Sequence, residues 1–380
     1  MKRTLICCTL ITWLFLTAID SSGFCAAHAA EQQSVLTLDQ AIQHALANNR
    51  SLNRARLGLE SNQITYNSQQ EEFQLKIVPA VQTGYSSDSE EVWRAGASFS
   101  RRFSTGVNLS LDPFVGGQNR ENQAGVEFRL DLPLLRGAGK EFALDGVQSS
   151  LYAYQDATLS FHSQQAGTVL QTVQAVYRAL LNDRQIDLQE KQLAALQAHL
   201  ALAKIKEKAG VITAIDLYRA EIRIKNVENG LTLRRESRAN TLDELKRLLA
   251  LSQSGDITIT APISYQPIAL EETEAVKIAL ANRIELEQTR RRISETERQL
   301  VLAEKNLLPQ LDLQLGYSQT GEDLDFGFDE EIWTARLSSN TDLFRRSEKN
   351  AYTQKWISYR QIQLDQIAER EQIIQEVRAQ

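Results

Sequence analysis

A chain of 380 residues with 42% hydrophobic and 24% charged side chains carries enough apolar material for a core of its own or for a large oligomer. Its formal net charge of −6 argues against a nucleic-acid partner, which would ask for a basic footprint. Its three cysteines, Cys7, Cys8 and Cys25, all fall in a segment expected to be removed, which excludes disulfides and thiolate metal sites from the mature chain.

That segment is residues 1–30. Lys2 and Arg3 precede an apolar stretch from Leu5 to Ile19, and Ala27-His28-Ala29 offers a small-x-small cleavage pattern, so an exported protein is expected. Next, Thr37 is placed to cap a helix whose face carries Ala41, Ile42, Ala45 and Leu46. The helix is expected to run on towards Val78 and to stop at Pro79. From there to Pro133 the period becomes two. Val107, Leu109 and Leu111 alternate with Asn108, Ser110 and Asp112, and Val126, Phe128, Leu130 and Leu132 with Glu127, Arg129 and Asp131. Segments of ~9–11 residues with this pattern can cross an outer membrane when tilted, although a soluble half-buried sheet alternates too.

A helical run is predicted from about Leu134 to Leu251, reversing once near Gly210. Val169, Val173, Val176 and Leu180 mark it before the turn, and Leu217, Ala220, Ile224, Val227 and Leu231 after it. At 1.5 Å per residue its first arm could reach on the order of 100 Å, a length that needs a partner along all of it. Ser252 to Pro267 reads as a linker, with turn-forming Ser254-Gly255-Asp256. The order then recurs. Ala45-Leu46-Ala47-Asn48-Asn49-Arg50 is echoed by Ala279-Leu280-Ala281-Asn282-Arg283, and Val78-Pro79 by Leu308-Pro309. The predicted division is therefore a first structural repeat at 31–251, a linker at 252–267 and a second repeat at 268–380. The second repeat supplies a helix from about Leu270 to Leu308, strands near Leu311–Tyr317 and Ile332–Leu337, and a helix resuming near Leu343.

Taken together, the opening Leu36-Thr37-Leu38-Asp39-Gln40-Ala41, the helix-to-strand Pro79 and Pro309, the strand-to-helix Leu132-Pro133-Leu134-Leu135-Arg136-Gly137 and the turn Gly210 with Asp216-Leu217 and Ala220-Glu221 resemble the TolC-like outer-membrane efflux protein family. The resemblance implies a mainly α fold with a smaller β part: duplicated long helical hairpins forming an α-barrel tunnel, and antiparallel strands forming a trimeric membrane β-barrel. It implies an outer-membrane location with helices extending into the periplasm. The implied partners are a homotrimer, a periplasmic adaptor (membrane fusion) protein, an inner-membrane transporter and outer-membrane lipid, in tripartite efflux or type I secretion. The chain departs from the family in two ways. The second helical hairpin is missing before Gln380, so the second repeat is expected to be incomplete. The first repeat carries extra strand material, Val92 to Phe103 and Thr105 to Phe114. If that hairpin spans the membrane, each chain contributes six strands and a trimer eighteen; if it projects, four and twelve, the number the resemblance implies. Arg101-Arg102 sits where a spanning strand would leave its apolar band, and a lipid-facing charge at the midplane costs ~2–4 kcal/mol, so the hairpin is expected at or beyond the membrane rim.

No enzyme and no cofactor is expected. Gly137-Ala138-Gly139-Lys140 lacks the spacing and the Ser or Thr of a phosphate loop. His44, His162 and His199 have no second metal ligand one turn away. Asp183 with Asp187 and Arg219 with Arg223 read as solvated helix faces or tunnel lining, and Arg290-Arg291-Arg292 as surface. The helix reversal stands out because Val211, Ile212 and Ile215 cluster beside Gly210 where polar residues are usual, and exposed apolar groups imply a covering partner. Gly210 and Asp216 are expected to shape this turn. The adaptor-docking residues implied by the resemblance are Gly210, Val211, Ile212, Thr213, Asp216, Leu217 and Ala220; Pro79, Pro133, Gly137 and Pro309 are the strand–helix joints. The alternatives are a periplasmic coiled-coil scaffold, which would account for the helices and leave the strands unexplained, and a non-functional truncated family member.

Overall fold

The computed structural model describes residues 34–85, 92–118, 121–254, 257–264, 267, 270–322 and 330–379; the leader and Gly255-Asp256 lie outside the described residues. β1 (Ser34–Thr37) runs into α1 (Leu38–Asn48) through a reciprocal cap, in which the Thr37 hydroxyl accepts from the Gln40 amide at 3.3 Å and the Gln40 side chain accepts from the Thr37 amide at 3.0 Å. Asn49 then breaks the helix with φ −57 and ψ 125. Its side-chain oxygen takes the amides of Ser51 and Leu52, starting α2 (Arg50–Glu71), while its Nδ2 donates to the Leu248 carbonyl at 2.9 Å.

The helix stops earlier than the sequence reading had it. α2 ends at Glu71, and Pro79 lies inside β2 (Lys76–Gly84), paired with Ala97. A proline disfavours helical backbone at the residue before it, and β2 is an edge strand, where a missing amide donor is tolerated. β3 (Val92–Arg102), β4 (Asn108–Gln118) and β5 (Glu121–Pro133) follow as antiparallel neighbours.

The long helix also begins later than predicted. After β5, the Leu134 amide still donates to the Leu311 carbonyl, and Gly137 and Gly139 hold φ of +91 and +94, which keeps the chain out of helix. Only then come α3 (Lys140–Ala143) and α4 (Asp145–Lys208), whose 64 residues span about 96 Å. The chain reverses into α5 (Ala214–Leu248), which packs back along α4. The expected linker contains a strand, β6 (Ile257–Thr260), pairing parallel with β1 through alternating β-branched residues. α6 (Glu272–Asn282) and α7 (Ile284–Lys305) repeat the lengths of α1 and α2, 11 and 22 residues, and Arg283 breaks them as Asn49 does. β7 (Asp312–Glu322), β8 (Glu330–Ser338) and α8 (Arg346–Ala379) complete the described chain.

All the strands but β1 and β6 form one antiparallel sheet in the order β2-β3-β4-β5-β7-β8. The hairpin expected at the rim is thus part of the sheet, with β3 paired to β2 along that strand's whole length and β4 to β5 over eleven residues. The buried core lies elsewhere, midway along α4. Ala41 and Ala45 of α1 meet Ala175 and Val176 of α4 there, with Leu245 and Leu248 of α5 and Leu249 at its C-cap closing over them. The alanines let the helix backbones approach closely, and leucines fill what remains.

A half-buried polar network joins α4 to α7. Arg298 reaches Asp145 at 2.7 Å, Ser149 at 2.8 Å and Glu295 at 2.7 Å, and Gln299 bonds Asp145, Ser149 and Glu295. Burial pushes the Glu295 carboxyl up, but the bonds from Arg298, Gln299 and Ser149 and the Arg298 charge outweigh it, and the net shift is downward from 4.5. A carboxylate whose value is depressed on folding stabilises fully above its unfolded value and loses this as pH falls through the folded one. Arg298→Leu should therefore cost about 1–3 kcal/mol at neutral pH by removing the charged donor that Glu295 and Asp145 share and leaving Glu295 only its bonds from Gln299 and Ser149. In thermal melts the gap between the native chain and Glu295→Gln should narrow below pH 4.5. Arg291, expected at the surface, likewise reaches across to Gln155 of α4 at 3.0 Å.

Candidate functional site

The sheet has two chemically distinct faces, and the cross-strand register shows it. Ile77, Phe99, Leu111, Phe128, Tyr317 and Trp333 form one row across all six strands, each paired with the next. On the same face stand the row Leu109, Leu130, Leu315 and Ala335 and the row Leu132, Leu313 and Leu337. Among the described residues of these strands, its charges are Arg101 and Glu331, near opposite ends of the sheet. Among the described residues little covers these apolar groups, least of all at the two edges of the sheet, where Trp333 is 77% exposed and Ile77 57%.

The opposite face carries Lys76, Arg94, Asp112, Glu127, Arg129 and Arg336. There Arg94 sits 3.7 Å from the Phe114 ring centre and bonds Glu127 at 2.8 Å. An apolar convex wall and a polar inner wall is what a membrane barrel requires, since lipid touches only the first. No described helix is long and apolar enough to cross a membrane.

Where sheet meets helices, Pro133 is the last residue of β5, Gly137 sits in the following turn, and Pro309 lies between α7 and β7. Arg136 clasps this joint by bonding Gln310 at 2.9 Å and Glu348 at 3.4 Å. A cleft of about 470 Å³ opens beside it, lined by Arg102, Asn108, Asp131 and Asp312 among others.

At the far end of α4 the backbone closes the helix with a glycine cap. Gly210 takes φ +72, its amide bonds the Glu207 carbonyl at 2.9 Å, and the Val211 amide bonds Lys206 at 2.9 Å. Thr213 caps α5, its hydroxyl donating to Asp216 at 2.7 Å. The bonds from the Thr213 side chain and then its amide, with the Arg219 charge, hold the Asp216 carboxyl below its ordinary value. Val211 projects into solvent at 69% exposure, whereas Ile212, Leu217 and Ala220 are half-buried. Ile215, Tyr218 and Ile222, at a spacing of three and four, form a second exposed apolar stripe on α5 outside the docking residues named above. Asp183 pairs with Arg238, Asp187 with Lys191 and Arg219 with Asp216. Among the described residues no group of His, Cys, Asp and Glu could hold a metal ion.

No family model and no curated protein matches the chain. Solved structures do. It is similar to the outer membrane protein VceC from Vibrio cholerae, with 15% identity, coverage of 88% of this chain and 75% of that one, and TM-score 0.62. It is similar to a membrane protein from Pseudomonas aeruginosa, with 16% identity, coverage of 92% and 78%, and TM-score 0.60. The CmeC outer membrane channel of Campylobacter jejuni shares 12% identity over 90% of this chain and 70% of that one, with TM-score 0.58. At such identities the likeness is one of fold: this chain has the fold of the outer-membrane channels, long helices joined to a membrane-type sheet.

Proposed function

We propose that the chain is the outer-membrane channel of a tripartite efflux or type I secretion system. Three copies close one barrel in the membrane and one helical tunnel in the periplasm, and cargo passes through without chemistry on the way. A periplasmic adaptor docks on the tip at Gly210, Val211, Ile212, Thr213, Asp216, Leu217 and Ala220, and couples the tunnel to an inner-membrane transporter. The observation that carries this reading is the uncovered apolar row from Ile77 to Trp333, on a sheet whose other face is charged and whose strands lead into a helix of about 96 Å. The exposed area supports it, since the chain presents 28115 Å² where a compact monomer of its 42.8 kDa would present about 15,000 Å².

Produced with its leader in a Gram-negative host, the protein should band with the outer membrane on a density gradient. It should come out of detergent as three copies by native mass spectrometry and conduct ions in a planar bilayer. Recovery from the soluble periplasm, or a monomer that leaves bilayers silent, would overturn the proposal.

A further inference from the structure

We infer that the β3–β4 hairpin is a lipid-facing part of the barrel wall, so that each copy contributes six strands and three copies close a barrel of eighteen. This rests on the membrane-channel reading above and specifies its bore. Three observations carry it.

The first is continuity. β3 and β4 sit inside the sheet between β2 and β5, eleven residues each, within the ~9–11 residues that cross the bilayer. The second is chemistry. Phe99 and Leu111 occupy the same row as Phe128 and Tyr317, so the hairpin shows its apolar side on the face that would meet lipid. The third is anchorage. The turn between β3 and β4 lies at the helix end of the sheet, where the Gly139 amide donates to the Thr105 carbonyl at 3.0 Å. Gly106, at φ +94, presses so closely there that a Cβ would stand 2.8 Å from the Gly137 carbonyl oxygen. A hairpin seated at the strand–helix joint runs the full height of the wall.

The two arginines fit this placement. Arg102 points to the charged face and pairs with Glu72 at 3.6 Å, with the Phe73 ring beneath it. Arg101 does face the lipid side, but it is the next-to-last residue of β3, beside the joint, where a long side chain can carry its charge out of the apolar band. The open edges are β2 and β8, nine residues each, and closure pairs the β8 edge of one copy with the β2 edge of the next. Because β2 and β5 would still be antiparallel if the hairpin were removed, the extra pair widens the barrel without altering its up-and-down path.

With strands about 4.8 Å apart and tilted about 40°, eighteen close a cylinder roughly 36 Å across between backbones, and twelve one of roughly 24 Å. Eighteen strands reach the range in which porins keep an aqueous channel. The cargo this bore suits is correspondingly larger than a twelve-stranded wall would pass.

The test uses the full-length complex in vesicles of brominated phosphatidylcholine, with Trp93, Trp333 and Trp356 changed to Phe and single tryptophans introduced. Phe99→Trp and Leu111→Trp should be quenched to the same extent as Phe128→Trp and Tyr317→Trp. If the last two are quenched and the first two are not, the hairpin is out of the wall and the inference fails while the channel stands. Should none be quenched, the membrane reading itself fails. End-on electron-microscopy averages of the otherwise unmodified complex give a second measure: a wall near 36 Å across supports eighteen strands, and one near 24 Å overturns them.

Discussion

At the tip between α4 and α5, Val211→Asp and Ile215→Asp should abolish cross-linking to the proposed adaptor and the efflux it supports, with membrane insertion and assembly unchanged. Both side chains stand in solvent, at 69% and 63% exposure, so a carboxylate there costs the isolated chain almost nothing. Under an adaptor each would be covered, and losing ~2 kcal/mol of apolar burial weakens a complex by about 30-fold. Both together should take binding below detection. Ile212→Asp belongs to the same test but reads less cleanly, because Ile212 is half-buried against its own helices and its loss perturbs the hairpin as well. Tyr218, on the exposed stripe with Ile215, extends the patch, and Tyr218→Asp should add to the defect. Gly210 and Asp216 act through shape: one supplies the positive φ, the other completes the cap on Thr213. Full cross-linking and efflux from a correctly inserted Val211→Asp, Ile215→Asp double variant would reduce the turn to a connector.

The parts of the fold legible in the sequence are those in which a few neighbouring residues decide the outcome. Thr37 with Gln40 three residues on is a complete capping box within four positions, and the helix begins there. The Asn48-Asn49-Arg50 echo in Asn282-Arg283 marked the repeat but not the helix breaks: a helix unbroken towards Val78 and another from about Leu270 to Leu308 were expected, and an extended residue divides each, at Asn49 and Arg283. Boundaries set by distant partners were not legible. The end of α2 at Glu71 depends on β2 finding β3, and the segment after it alternates too weakly to announce a strand before Pro79. β6 hid in a proline-flanked linker because its four residues make a strand only when β1 lies alongside. Arg101-Arg102 shows the same limit. Adjacent residues of a strand face opposite ways, and only the register shows that Arg102 stands on the charged face while Arg101 lies at the end of the apolar one. The tip was half legible. Its backbone logic is local, whereas which of Val211, Ile212 and Ile215 remains uncovered depends on how α4 and α5 pack.

The largest effect is expected in the middle of the sheet, where the two faces make opposite demands on one strand. Phe128→Arg and Leu315→Arg each place a charge on the apolar face, in the row of Ile77 and Trp333 or the row beside it. Near the bilayer midplane such a charge costs ~2–4 kcal/mol, and in the proposed barrel of three copies the cost arises three times. That approaches the ~5–15 kcal/mol by which folded proteins are stable, so neither variant should reach the outer membrane as an assembled complex. Ser318→Arg is one residue from Tyr317 in β7 but on the face of Glu127, with which it pairs across the sheet. An arginine there meets a carboxylate and water, and assembly should proceed as in the native chain. Density-gradient fractionation and native mass spectrometry of the three variants read the contrast directly. Equal recovery of Phe128→Arg and Ser318→Arg in the outer membrane would mean that the apolar face does not meet lipid, because a soluble or protein-covered sheet has no reason to distinguish the two faces in this sense.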